Sequence, residues 1–405
     1  MTEQHRIVVL GAGYAGLAAA RRLAKKSRDT AITVVDARAE FVERVRLHQE
    51  AAGQSIKHWD LRELLERKGI EFVRARVVEL DPVAKRIRLA DGAVAENLPQ
   101  HAVDGLSGEH ENDRDHENDR DSAHGRAGAH GLDQLVRVLD YDTLVYALGS
   151  AADRRGVPGV AEHARSVATP EEVRAVPAGP VVVVGAGATG IELAAELAEA
   201  QPDSPVTLIS ANEPGAWLSP RAVDSIRATL TRLGVDIRAD AKVVEVLPEG
   251  VRLADGTTIP AVTTVWTAGF TVPDLARRAG LAVDDLGRVR TDATLRSLSH
   301  PDIYAAGDAA LMAGPGDREL RMACATAIPA GGYVATAIIA RARGHEPEPM
   351  KFRYYLQCIS LGRRDAVIQI LQPDDTPGTR VLTGRTGAWV KELVVRGAGI
   401  AIGMR

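Results

Sequence analysis

Two segments 174 residues apart share one layout, and this duplication limits the chain to folds built from repeated strand, turn and helix units. Arg6-Ile7-Val8-Val9-Leu10 runs into Gly11-Ala12-Gly13-Tyr14-Ala15-Gly16, and Val181-Val182-Val183-Val184 runs into Gly185-Ala186-Gly187-Ala188-Thr189-Gly190. Each apolar run reads as a buried parallel strand. Each turn opens a stretch rich in Ala and Leu, predicted as helix from Leu17 to about Lys26 and from Ile191 to about Ala200. A second β-branched strand follows each helix, over 31 to 35 and 206 to 209. In this setting the first glycine makes a tight turn and the second lets the backbone approach a pyrophosphate. The third lets the helix pack close to the strand, with the phosphates at its N-terminus. Two such copies imply two dinucleotides.

The acid expected about 20 residues beyond the last glycine separates the copies. Counting from Gly16 reaches Asp36, at the end of a strand, where a carboxylate can accept both hydroxyl hydrogens of a ribose. Counting from Gly190 reaches Ser210, which neither requires a free 2′-hydroxyl nor repels a 2′-phosphate. Arg221 is the nearest arginine downstream, so the choice between NADH and NADPH stays open.

A length of 405 residues calls for two or three domains, and 45% hydrophobic with 26% charged residues is ordinary for a folded chain. A net charge of −4 offers no basic field for nucleic acid. The two cysteines, Cys324 and Cys358, form no Cys-x-x-Cys pair, which disfavours zinc ribbons and dithiol motifs and fits a reducing compartment. No apolar run approaches the roughly 18 residues of a membrane span, and none reads as a signal peptide. The expectation is a cytoplasmic protein.

The pattern breaks down between about 97 and 135, where His-Glu-Asn-Asp-Arg-Asp occurs twice in tandem. Residues 104 to 126 hold eight acids and three arginines, which reads as a solvated insertion. His101, His110, His116, His124 and His130 raise a metal-binding alternative, but metal sites need rigid geometry and no metal is expected. Beyond the second unit, Asp255-Gly256 signals a hairpin, 263 to 266 a strand, and 302 to 308 a strand ending in a turn. A helix is predicted from about Pro329, a favoured first-turn residue, to Arg341. Strands are predicted over 354 to 361 and 366 to 370.

At this point the chain resembles the two-dinucleotide flavoprotein oxidoreductases, pyridine nucleotide-disulfide oxidoreductase-like, and within them the type II NADH dehydrogenase and apoptosis-inducing-factor-like branch. The resemblance rests on both glycine turns, on Tyr141-Asp142-Thr143-Leu144-Val145-Tyr146-Ala147-Leu148-Gly149-Ser150, and on Ile303-Tyr304-Ala305-Ala306-Gly307-Asp308. It implies an α/β fold with two Rossmann-like three-layer dinucleotide-binding domains, for FAD and NAD(P)H, and a small C-terminal α+β element. The expected limits are 1–155 and 266–345 for FAD, 156–265 for NAD(P)H and 346–405 for the C-terminal element. Carried over by position, Gly11, Gly13, Tyr14, Ala15, Gly16, Asp36, Val78, Ala147, Gly149, Gly307 and Asp308 attend FAD, Asp36 at its ribose and Asp308 at its ribityl hydroxyls. Gly185, Gly187, Thr189, Gly190 and Ser210 attend NAD(P)H, and Ala268 and Gly269 join the cofactor contacts. The resemblance further places the backbone around Ala327 and Ile328 against the flavin.

Glu192 lies in a first helical turn, where the helix dipole alone accounts for a carboxylate. The resemblance instead sets it beside the nicotinamide, through Thr189-Gly190-Ile191-Glu192. Arg44, Arg46 and His48 share a face if the chain is extended, and Arg44 with His48 if it is helical. They read equally as contacts to FAD or acceptor and as a surface salt-bridge cluster. His48 is a candidate proton donor by residue type. Cys324 reads as a small buried residue rather than a reactive thiol.

Two departures matter. Disulfide reductases of this architecture carry a cysteine pair near residues 40 to 50, absent here, and the Gln-rich stretch of a quinone channel is replaced by Cys324-Ala325-Thr326-Ala327-Ile328-Pro329. The tail from Ala388 is mostly apolar and suits a membrane interface, its own domain or a second subunit, as in a homodimer; three glycines weaken it as a helix. The expected function is an FAD-dependent NAD(P)H:acceptor oxidoreductase that passes a hydride to FAD and electrons to a quinone-like or other small molecule, without a redox-active disulfide. The alternatives are a reductase of a ferredoxin-like protein and a non-catalytic redox-sensing module.

Overall fold

The computed structural model describes residues 4–27, 29–91 and 136–404. The acidic insertion lies outside the described residues.

Both repeated units form where the glycine turns place them. His5–Leu10 is the central strand of the parallel part of a seven-stranded sheet, between Thr143–Tyr146 and Thr30–Asp36. Ile303–Ala305 extends the parallel part on one side and Glu71–Asp81 on the other, before antiparallel Arg86–Asp91 and Val136–Asp140 finish the sheet. The second unit builds a parallel five-stranded sheet from Ala164–Arg165, Thr263–Trp266, Val181–Val184, Val206–Ile209 and Asp236–Arg238. The Asp255-Gly256 turn joins Gly250–Leu253 to Thr258–Pro260 in an antiparallel sheet. Val8, Val9, Leu10, Val34 and Val35 are buried on both faces, as are Val181, Val182 and Val183, which is why these strands are unbroken apolar runs.

The two helices after the turns are Tyr14–Lys26 and Ala188–Ala200, each starting three residues earlier than predicted. The third glycine of each motif therefore lies inside the first helical turn, where it meets the strand. A larger correction concerns the helix predicted from Pro329. It runs Cys324–Ala342, with Pro329 inside. Pro329 and Ala325 are both exposed, so the Ala325 carbonyl that loses its i+4 donor can turn to water. This helix packs backbone to backbone on Tyr14–Lys26: a Cβ on Gly331 would lie 2.0 Å from the Ala15 carbonyl oxygen.

The C-terminal element is a three-stranded antiparallel sheet, Leu356–Ser360, Ala366–Leu371 and Pro377–Leu382, the last of which the sequence reading missed. Its tail is one helix, Gly384–Ile402, despite its glycines. Gly387 packs where a Cβ would come 2.4 Å from the Ala366 carbonyl oxygen, so close packing on the sheet offsets the helix-weakening effect. No helix among the described residues is long and apolar enough to cross a membrane.

Candidate active site

A cavity of about 620 Å³ opens between the two glycine turns and is closed by the start of Cys324–Ala342, the C-terminal sheet and the C-terminal helix. It lies outside the carboxyl ends of the parallel strands, where the chain diverges on either side of His5–Leu10. Gly11 has φ +96°, and a Cβ there would lie 2.3 Å from the Ala147 carbonyl oxygen; on Gly16 it would lie 1.8 Å from that of Gly11. Around Gly13, by contrast, a Cβ would meet nothing within 4 Å, leaving room beside the turn for a ligand. The second turn repeats this, with Gly190 1.8 Å from the Gly185 carbonyl oxygen and open space at Gly187.

Asp36 ends its strand buried at the cavity wall, accepting the Ala12 N–H at 2.7 Å and the Arg38 N–H at 2.9 Å. On the opposite wall Asp308 accepts Ser150 Oγ–H at 2.6 Å and an Arg44 N–H at 3.3 Å. Arg44 also donates to the Ser150 carbonyl at 3.1 Å and stacks over Phe270. Four buried wall atoms, Tyr14 Oη, Arg44 Nη2, His48 Nε2 and Arg321 Nε, have no hydrogen-bond partner among the described residues. Unsatisfied polar groups beside open space at a glycine turn fit a bound dinucleotide.

The deepest charges sit where the second helix meets the tail. Glu192 Oε1 accepts the Ser360 N–H at 3.0 Å and is paired with Lys391, 199 residues away; Oε2 lies 3.8 Å from His48 Nδ1. Burial alone would raise the Glu192 pKa, but Lys391, His48 and the Ser360 N–H outweigh it and hold the carboxylate below its usual range. His48 is pushed down to about 4, chiefly by burial and against the pull of Glu192. It is a neutral imidazole at pH 7. With its Nδ1–H toward Glu192, Nε2 presents a bare acceptor to the cavity.

Gly11, Gly13, Tyr14, Ala15, Asp36 and Arg44 line the cavity from the first unit, with Ala147, Gly149, Gly307, Asp308 and Ala327 from the returning chain. Gly187, Thr189, Glu192 and Gly269 line it from the second, and His48 lies between. Gly16, Gly185, Gly190, Ala268 and Ile328 stand behind the wall. Three expected contacts need correction. Arg46 turns away, because a 3₁₀ turn, Arg44–Arg46, precedes the helix Leu47–Ala51, and it pairs with Glu43 and Glu392 at 2.8 and 2.9 Å. Val78 is buried at a register shift between Val77 and Glu79, off the wall. Ser210 caps its strand outside the cavity, accepting the Asn212 N–H at 3.4 Å while its own N–H bonds the Arg238 carbonyl. Cys324 is half-buried and lines the cavity. Lys391, Ser150, Phe270 and Cys358 were not anticipated as site residues; no local signal marks them. Among the described residues no group of three or more His, Cys, Asp or Glu converges on a metal position.

Two glycine turns on parallel sheets, facing one cavity with an acid at the first ribose position, define a flavin- and nicotinamide-dependent oxidoreductase. The pyridine nucleotide-disulphide oxidoreductase family matches residues 5–331, and the chain belongs to it. It is similar to an NADH dehydrogenase-like protein of Mycobacterium tuberculosis, at 27% identity over 89% of this chain and 87% of the relative. It is also similar to a type II NADH:quinone oxidoreductase of Staphylococcus haemolyticus, at 24% identity over 99% and 96%. In fold it resembles NDH2 of Plasmodium falciparum in complex with NADH, with a TM-score of 0.75, 13% identity, and 99% and 97% coverage. The protein is an enzyme whose cofactors are FAD and NAD(P)H. When bound, FAD would supply the two-electron relay between NAD(P)H and a small-molecule acceptor.

Proposed function

We propose that the acceptor is a quinone drawn from a membrane surface, and that the C-terminal helix brings the cavity to it. One observation carries this reading: Gly384–Ile402 turns Lys391, Val394 and Val395 into the cavity while Trp389, Leu393 and Ile400 stand 64%, 47% and 63% exposed. Positions 389, 393 and 400 recur at helical spacing, so one apolar stripe runs beside the cavity mouth. The quinone oxidoreductases among the relatives support it.

In this reading Asp36 holds the FAD ribose, and Asp308 with Ser150 and Arg44 holds the ribityl chain. The N-terminus of Cys324–Ala342 supplies backbone N–H groups to the flavin edge. Glu192 stands at the nicotinamide. A quinone that gains two electrons must gain two protons, and Lys391, paired with Glu192, is the side chain on that wall placed to donate one. His48 Nε2 accepts a hydrogen bond from a ligand donor.

The test is NADH-dependent reduction of a short-chain quinone together with sedimentation on anionic lipid vesicles. Trp389→Glu with Leu393→Glu should abolish vesicle binding and retain reduction of the soluble quinone. Full vesicle binding by this variant would overturn the membrane reading, and failure of the native enzyme to reduce any quinone would overturn the acceptor.

A further inference from the structure

The helix Leu47–Ala51 carries His48 into the cavity wall, where it is only 2% exposed. Its Nδ1 lies 3.8 Å from Glu192 Oε2, and its Nε2 has no hydrogen-bond partner among the described residues. A polar atom this deeply buried is costly to leave unpaired, so the vacant bond calls for a ligand. Burial and the charges of Lys391, Arg363 and Arg46 keep the ring neutral, and the Glu192 carboxylate draws its one proton to Nδ1. Nε2 is then a lone pair without a hydrogen, able only to accept.

That restriction selects among ligand groups. The carbonyl oxygens of a quinone and the oxygens of a phosphate only accept, so neither pairs with Nε2. The hydroxyls of FAD are taken up elsewhere, by Asp36 and Asp308 in the placement proposed above. The His48 corner lies between Glu192, on the helix of the second glycine turn, and Cys324, which begins the helix Cys324–Ala342 and feels the charge of both Glu192 and Lys391. This is the junction of the two dinucleotide sites, where the redox ring of NAD(P)H belongs. The donor that ring carries is its carboxamide N–H.

We propose that His48 orients the nicotinamide: its Nε2 accepts a hydrogen bond from the carboxamide N–H and so fixes which face of the ring is turned toward the flavin. The proposal rests on the reading that NAD(P)H delivers hydride in this cavity and adds what aligns it. A half-turn about the glycosidic bond presents the opposite C4 hydrogen and swings the carboxamide to the other side of the sugar. With one bare acceptor on one side of the site, only one orientation pairs Nε2; the other leaves it buried and alone. Glu192 acts here through His48, by holding the tautomer.

The test is calorimetric binding of NAD⁺ to the FAD-loaded enzyme, compared with its acetylpyridine analogue, in which a methyl group replaces the carboxamide nitrogen; the NADP⁺ pair is measured alike. Native protein is expected to bind the natural dinucleotide about tenfold more tightly, because the analogue leaves Nε2 unpaired. The ratio should fall to near one in His48→Leu and return in His48→Gln, whose side-chain oxygen can replace Nε2 as acceptor. A loss of packing alone would weaken both dinucleotides and keep their ratio. NADH deuterated at one or the other C4 position reads the orientation: native protein should remove one label only, and His48→Leu should remove both, as traced in the NAD⁺ formed by mass spectrometry. Equal binding of NAD⁺ and the analogue by native protein would overturn the proposal, as would an unchanged ratio in His48→Leu. If His48→Leu does not fold, the native ratio and its retention in His48→Gln still decide the matter. Flavin that dithionite reduces but NAD(P)H does not would instead overturn the hydride-transfer reading, while the binding ratio still tests the contact at His48.

Discussion

The first and second glycine turns have nearly superimposable constraints and different surroundings. In both, the third glycine would place a Cβ 1.8 Å from the first glycine's carbonyl oxygen, and the middle glycine faces open space. They part at the ends of their second strands, where Asp36 is buried and bonded to the first turn's Ala12, and Ser210 stands outside the cavity. They part again in what covers them: the first is backed by the helix Cys324–Ala342 on Ala15, the second by the Glu192, Lys391 and Ser360 cluster. The turn is thus a generic pyrophosphate cradle, and discrimination between nucleotides resides in the residues set around it.

The strongest way to break this comparison is to fill the third glycine of each copy. Gly16→Val should drive the helix off the central strand and yield protein without FAD, whereas Gly190→Val should remain yellow and lose flavin reduction by NAD(P)H. Flavin absorbance and anaerobic mixing with NAD(P)H read the two effects, and loss of FAD from both would mean the turns do not act separately.

Acid exposes the His48 and Glu192 cluster beside the second copy. His48 is neutral in the fold with a pKa near 4 against an ordinary 6.5, so the unfolded chain binds more protons between these values. Stability is full above pH 6.5 and falls as pH drops toward 4, by up to about 3 kcal/mol from this group. Glu192, depressed below 4.5, loses its contribution only at lower pH, as pH falls through its folded value. Denaturant midpoints at pH 7 and pH 5 should therefore differ less in His48→Gln than in the native protein.

On the first side, Asp308→Ala removes a charged acceptor shared by Ser150 and Arg44 and should weaken FAD retention by roughly 1.5 to 3 kcal/mol, measured by dialysis of the flavin. A smaller effect is expected at Ser210, which stands outside the cavity: Ser210→Glu should leave the ratio of kcat/KM for NADH and NADPH nearly unchanged. A penalty on NADPH of about 1 to 3 kcal/mol would instead show that residue 210 faces the ribose. The least change is expected from removing residues 104 to 126, which should leave the flavin spectrum and NAD(P)H oxidation as they are.

What could be read in the sequence was what local pattern encodes. Strand, Gly-x-Gly-x-x-Gly and helix announce themselves within 30 residues, and with them the family, the α/β fold and both cofactors. Asp36 could be placed by counting because a strand end fixes its distance from the turn. Lys391 could not, since its partner lies 199 residues away and nothing in Trp389-Val390-Lys391 distinguishes a cavity residue from a solvated one. The same holds for Cys324 and Cys358, which only the docking of the C-terminal sheet brings together. Pro329 misled by fitting a helix start, when it stands in an exposed turn that tolerates a missing donor. Pro377–Leu382 escaped notice because Pro and Gly open it and it lies at a sheet edge, where neither residue is costly.

The strand Ile303–Ala305 pairs with Thr143–Tyr146, and the whole five-stranded sheet lies between them in the chain. Its hydrogen bonds close a loop of well over a hundred residues, and ordering that loop precedes any return from the contact. The inserted sheet carries a smaller cost of the same kind, its widest pairing running from Ala164 to Thr264. Folding should therefore run from the inside outward in sequence: the five-stranded sheet collapses as an early unit, and the seven-stranded sheet matures late, around it. A refolding intermediate that binds nucleotide before it can retain flavin is the kinetic signature of that order.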